Sequence, residues 1–149
     1  VSKNYTQGFY RPTNPQKYVG DVNKIVFRSS YELKLFRYCD LNEAVLEWGS
    51  EEMWIKYFNP VTERFHRYFP DAYMKIKDVS GECKQYIVEV KPQRQTVQPN
   101  PTPKKKTKTW LNEMKTYETN KAKWAAAEKF CVDNGMSFML VTESELGIK

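Results

Sequence analysis

The feature that most restricts how this chain can fold is the alternation of apolar and polar residues between Val45 and Lys91, interrupted at Asn59-Pro60 and Ser80-Gly81 and stopped by Pro92. A period of two sends successive side chains to opposite faces of an extended backbone. Short runs of that kind between turn residues therefore read as hairpin-linked strands. The candidates are Val45 to Trp48, Met53 to Phe58, Arg64 to Phe69, Ala72 to Lys77 and Gln85 to Lys91.

On either side the period becomes helical. Ser29-Ser30-Tyr31-Glu32 has the form of a capping box, in which a hydroxyl takes an orphan amide and a glutamate reaches back. It predicts a helix through about Cys39 with Tyr31, Leu35, Tyr38 and Cys39 on one face. A second helix is expected from Trp110 to about Asp133, with Trp110, Met114, Tyr117, Trp124, Ala127 and Cys131 near one stripe and Asn134-Gly135 as its stop. Met136 to Val141 has the length and apolarity of a strand. The expectation is an α/β (α+β) fold, one mixed sheet flanked by helices.

Residues 1–24, with breakers at Gly8, Pro12, Pro15 and Gly20, read as an N-terminal arm laid over a surface, and residues 25–149 as a single domain. Ile25 to Phe27 is a short extended piece. The Pro, Gln, Thr and Lys segment from Gln93 to Thr109 is expected to be a mobile basic loop, at about 92–109. A chain of 149 residues buries roughly two thirds of its unfolded surface, enough for a core without metal or disulfide staples.

The residue inventory excludes several chemistries. Cys39, Cys83 and Cys131 are odd in number and never form a C-x-x-C pair, so neither a disulfide framework nor a zinc ribbon is suggested and a reducing compartment fits. One histidine, His66, cannot build a multi-histidine metal site or a two-histidine ribonuclease-like mechanism, and in its strand it reads first as an ordinary half-buried side chain. Any metal would be a hard cation held by oxygens. No run approaches the roughly 18 to 20 apolar residues of a membrane span, and no export signal is visible, so a soluble protein with no membrane partner is expected. The excess of 24 Lys+Arg over 18 Asp+Glu, a formal charge of +6, favours a polyanionic partner.

Phe69-Pro70-Asp71 and Val88-Glu89-Val90-Lys91 carry the candidate chemistry. Glu89 and Lys91 share one strand face while Val88 and Val90 face the other way. If the strand after Asp71 pairs with that of Glu89 through the Ser80-Gly81 turn, two carboxylates approach each other and repel unless a cation intervenes. Mg²⁺ suits such a pair, since it accepts one or two carboxylates, keeps waters and binds phosphate oxygens. Lys91 would stand beside the phosphoryl group. A solvated strand face is the plain alternative for the Glu-x-Lys pattern, and capping alone accounts for Glu32.

Tyr31-Glu32-Leu33, the run His66 to Asp71 and the run Val88 to Pro92 together resemble the PD-(D/E)XK nuclease superfamily, and more closely the TnsA-like endonucleases. Within that neighbourhood the chain is similar, from about Tyr18 to Thr142, to a nuclease family of large contractile-tailed bacteriophages, on Asn14 to Tyr18 and Phe27 to Ser30 as well. The resemblance implies a restriction-endonuclease-like core and Mg²⁺- or Mn²⁺-dependent hydrolysis of DNA. It implies Asp71, Glu89 and the Val90 carbonyl as metal ligands, Lys91 at the water or transition state, and Glu32 as a helix-borne acidic member of the catalytic and metal set. It further implies work in DNA packaging and head completion, in the host cytoplasm or on the virion, near head, portal or neck proteins. A non-catalytic DNA-end-binding head-closure protein on the same scaffold and a TnsA-like transposon-end endonuclease are the alternatives. The latter is disfavoured by the expected lack of a further C-terminal domain. Arg94, Lys104, Lys105, Lys106 and Lys108 are the candidate DNA contacts, directed at backbone phosphates.

Overall fold

The alternating segment folds as antiparallel strands, yet it is divided between separate sheets. The structure, a computed structural model, describes residues 7–146. In chain order the elements are β1 (Gly8–Phe9), β2 (Val26–Phe27), α1 (Ser30–Leu41), β3 (Val45–Gly49), β4 (Ile55–Asn59), β5 (Arg64–Tyr68), β6 (Ala72–Lys77), β7 (Cys83–Val90), α2 (Lys108–Asp133), β8 (Ser137–Val141) and α3 (Glu143–Leu146), with single 3-10 turns at Pro15–Lys17 and Gln93–Gln95. The mixed sheet has the order β3-β6-β7-β8, antiparallel except for the parallel β7–β8 pair. The 26 residues of α2 form the crossover that a parallel pair requires. This is the expected α+β arrangement around a mixed sheet.

One expectation needs correction. β4 and β5 pair only with each other, and their ribbon lies against α2 through Ile55, Tyr57 and Tyr68 packed on Ala127. Strand periodicity reports that one face is buried but not what buries it. Here the covering surface is a helix more than fifty residues further along the chain.

α1 begins where the capping pattern places it. Ser29 Oγ accepts the Glu32 amide at 3.1 Å, and the Glu32 carboxylate reaches back to the Arg28 amide at 3.4 Å. The buried face differs from expectation: Leu35, Phe36, Cys39 and Asp40 point inward, while Tyr38 is exposed. Phe36 is drawn in by an aromatic cluster in which Tyr10, Tyr18 and Phe36 surround the fully buried Trp48, with ring centroids 4.8–6.0 Å apart. Two of those rings come from the N-terminal arm, which is therefore part of the core. Its course is held by the β1–β2 pairing, by the Tyr10 amide on the Ile25 carbonyl and by the Val19 amide on the Trp48 carbonyl. At that docking point a Cβ on Gly49 would lie 2.8 Å from the Val19 carbonyl, so no larger residue fits.

Along α2 only Asn120, Ala127 and Cys131 are buried. The expected stripe holds in its C-terminal half, where the helix crosses the sheet and the β4–β5 ribbon, whereas Trp110, Met114 and Tyr117 remain partly exposed. The helix ends as its sequence predicts. Gly135, at φ 69°, turns left-handed and lets the Met136 amide return to the Cys131 carbonyl at 2.8 Å.

Asp40 fastens the arm to α1. It is fully buried, and its carboxylate accepts the Tyr10 hydroxyl at 2.6 Å and the Thr13 and Asn14 amides at 2.7 and 2.9 Å. Lys17 Nζ donates to the Asp40 and Asn42 carbonyls, satisfying the end of the helix. Burial opposes the charge of Asp40, but the three donors outweigh it and hold the carboxyl below its ordinary value. Such a group contributes stability above the unfolded-state value that is lost as pH falls through the folded one. Asp40→Ala should cost about 3 kcal/mol by leaving buried donors unpaired, and its stability should decline less steeply than the wild type's on the acid side. Urea melts of both proteins from neutral to acid pH are the check, and equal stabilities at neutral pH would contradict this account.

Candidate active site

The site forms where β6 begins and β7 ends. These strands pair with Ala72 opposite Val88, and continuing that register brings Asp71 opposite Glu89 and next to Val90. Pro70, itself fully buried, leads into Asp71. Asp71 Oδ2 accepts the Val90 amide at 2.8 Å, and the Asp71 amide points to Glu89 Oε1 at 3.4 Å, so each strand end donates to the other's carboxylate. The pairing expected through the Ser80-Gly81 turn is present. The turn is tied by Asp78 Oδ1, which accepts the Ser80 and Glu82 amides.

The two faces of β7 are occupied as the period-two arithmetic requires. Val88 and Val90 lie in the core cluster with Leu35 and Phe36 of α1. Glu89 faces the ribbon and α2, accepts the Tyr68 hydroxyl at 2.8 Å and is only 5% exposed. The solvated strand face therefore does not hold for Glu89. Lys91 lies on the same side, its Nζ 3.8 Å from Glu89 Oε2, and its amide continues the parallel ladder to the Val141 carbonyl.

A cleft of about 440 Å³ opens over this junction, lined by Ser29 to Glu32 at the start of α1, by Asp71, by Val90 to Pro92, and by Arg94 and Gln95. Glu32, Asp71, Val90, Lys91 and Arg94 are thus gathered at one opening, with Glu89 behind Asp71. Lys104, Lys105 and Lys106 are exposed outside it, on a segment fastened to α2 by the Trp110 indole N–H on the Asn100 carbonyl at 2.6 Å. Lys106 sits over the Trp110 ring at 5.8 Å. His66 pairs with Thr62 and packs on Tyr57 within the ribbon.

Three further residues belong to the site's surroundings. Lys123 of α2 lies 5.7 Å from the Tyr68 ring centre and close enough to Glu89 to support its charge. Its own ammonium is held below the usual lysine value by burial, against the pull of Glu89. Glu51, paired with Arg28, adds negative potential at Glu32 and Asp71. Glu143 braces the cleft by accepting the Gln93 amide at 2.7 Å and the Tyr31 hydroxyl at 3.2 Å. The sequence holds one usable signal among these, the helical spacing of Lys123 and Ala127, which places the lysine one turn from a buried position.

Electrostatically the junction carries uncompensated negative charge. Burial and then the charge of Asp71 push Glu32 up to about 7. Asp71 is raised by burial and then by Glu89, against the Val90 hydrogen bond and Lys91. Glu89 is raised by burial despite Lys91, Tyr68 and Lys123. Hydrogen bonds to the charged forms are too few to balance desolvation.

The segment 42–143 matches the family model of the TnsA-like endonuclease N-terminal domain. The chain belongs to the TnsA-like endonucleases. That span holds Asp71, Glu89, Val90 and Lys91, while Glu32 lies before it. Over 143 residues this TnsA-like chain is also 37% identical to the head completion nuclease of Enterobacteria phage T4, an alignment covering 93% of the chain and 92% of that protein.

The donor set of the TnsA-like site fits a hard divalent cation. All its ligand candidates are oxygens, and they hold excess negative charge. Among the described residues no three His, Cys, Asp or Glu side chains stand together as a cage. Glu89 Oε1 is taken up by the Tyr68 hydroxyl and the Asp71 amide. Two carboxylates and a carbonyl completed by water are what Mg²⁺ accepts, whereas zinc prefers nitrogen and sulfur. Because the carboxyl groups titrate higher in the folded chain than in the unfolded one, the folded form binds more protons. Stability without metal should therefore fall as pH rises from about 4.5 through about 7. Thermal melts in EDTA should show that decline and Mn²⁺ should restore Tm most at the alkaline end; a flat profile insensitive to metal would refute it.

Proposed function

We propose that this TnsA-like nuclease hydrolyses phosphodiester bonds of DNA with Mg²⁺ or Mn²⁺. The observation that carries the reading is the β6–β7 junction, where buried carboxylates with raised affinity for protons meet an ammonium group at an open cleft. The ion, when bound, supplies Lewis-acid polarisation of a phosphoryl oxygen and a more acidic water. Asp71 and Glu89 would hold it, with the Val90 carbonyl as a further oxygen and Glu32 as an outer carboxylate across the cleft. Tyr68 and the Asp71 amide orient Glu89, leaving Oε2 on the Lys91 side. Lys91 stabilises charge developing on the phosphoryl oxygens and keeps the attacking water in line. Arg94 at the cleft mouth, with Lys104, Lys105 and Lys106 beyond it, meets the flanking phosphates.

The likeness to the T4 head completion nuclease supports a setting in phage assembly, acting on packaged DNA in the host cytoplasm or on the maturing particle, beside portal or neck proteins. Among the described residues no helix is long and apolar enough to cross a membrane.

Cleavage of plasmid DNA in Mg²⁺ or Mn²⁺ should fall at least about 100-fold in Asp71→Ala, Glu89→Ala and Lys91→Ala, the scale of losing one transition-state electrostatic contact. Binding of the same DNA in Ca²⁺ should persist. Wild-type rates in both carboxylate variants would remove these residues from the mechanism. Metal-independent binding without any product from the wild type would favour a scaffold protein over an enzyme.

A further inference from the structure

The β4–β5 ribbon presents a second surface that the catalytic machinery does not use. Its inner row packs on α2. Its outer row, continued by the flanking residues, is Trp54, Lys56 and Phe58 on one side and Phe65, Arg67 and Phe69 on the other, with Lys56 paired to Arg67 and Phe58 to Phe65 across the strands. The four aromatic side chains are 47, 48, 63 and 45% exposed in sequence order. That is a large apolar area to leave in water, and such patches mark interaction sites.

The cations alternate with the rings and lie over them. Lys56 Nζ is 4.6 Å from the Phe65 ring centre, and the Arg67 guanidinium is 4.6 Å from that of Trp54. Neither cation is in an ion pair among the described residues. No acidic side chain stands in either outer row. The row Phe65, Arg67, Phe69 runs toward the site and ends two residues before Asp71. The inner-facing Tyr68 between them holds Glu89.

We propose that this face binds unpaired nucleotides of the DNA strand adjoining the scissile phosphate, the bases stacking on Trp54 and Phe65 and the phosphates meeting Lys56 and Arg67. A duplex hides its base faces, so exposed rings interleaved with cations that are in no ion pair among the described residues fit single-stranded DNA, whose every base offers a π-face. The substrate would then be DNA with a single-stranded extension or branch at the cutting position. This rests on the nuclease reading for its ligand class, but its test does not depend on cleavage.

Fluorescence anisotropy in EDTA with the full chain compares a blunt duplex with the same duplex bearing an extension of about eight nucleotides. The wild type should prefer the extended probe. Trp54→Ala and Phe65→Ala should each weaken binding to it about tenfold, the scale of one lost stacked base, and leave blunt-duplex affinity within about twofold. Phe65→Tyr should retain the preference, and Arg67→Gln should reduce the salt dependence of binding by about one phosphate contact. Equal losses on both probes, or no loss on either, would overturn the proposal. So would variants that alter only the sedimentation of the chain, which would make the face an interface between copies. If Asp71→Ala cleaves like wild type while the preference persists, the nuclease reading fails and this one stands.

Discussion

Charge held where water is scarce organises this molecule, and the pairing of β6 with β7 holds it there. Both strands are interior to the sheet, covered by α1 on one side and by the ribbon and α2 on the other. Their register carries Asp71 opposite Glu89, with the Asp71 carboxylate held on the Val90 amide, so the closeness of the two carboxylates follows from the strand pairing. Tyr68, Lys91 and Lys123 reduce that repulsion without cancelling it. The unbalanced remainder is what makes the proposed hard cation compatible with this junction.

The contrast between Asp40 and Asp71 shows how the same residue type serves opposite ends. Asp40 is fully buried and receives three donors, so its charge is welcome and the arm is anchored. Asp71 receives one, from Val90, with a second carboxylate beside it, so its charge is unwelcome without a partner from outside. Donor count against burial separates a structural aspartate from a chemically available one more sharply than burial alone.

Much of the fold can be read along the chain, wherever local chemistry decides it. The start of α1 follows from Ser29 and Glu32, the end of α2 from Gly135, and β6 runs over the residues expected of it, between Pro70 and the Ser80-Gly81 turn. What escapes the reading depends on distant partners. Tyr10 and Tyr18 are isolated aromatics without period, yet they complete the cluster around Trp48. Asp40 looks like any polar residue late in a helix. The ribbon's separation from the main sheet is decided by α2, and the burial of Glu89 by Tyr68, neither of which strand alternation encodes. At the site, Glu32, Asp71, Val90 and Lys91 line one cleft, whereas Glu51 and Glu143 are visible only in three dimensions and Lys123 leaves no trace in the sequence beyond its spacing from Ala127.

The crossover through α2 also sets an order of assembly. β7 carries Glu89, but its outer edge is completed only by β8, and the ribbon that aligns Glu89 through Tyr68 needs the C-terminal half of α2 to lean on. On the ribosome, where the N-terminal end emerges first, a chain that has already exposed every candidate catalytic residue still lacks the layers that shape them into a site. The β6–β7 junction therefore acquires its full surroundings only when α2 and β8, from the last third of the chain, have joined it.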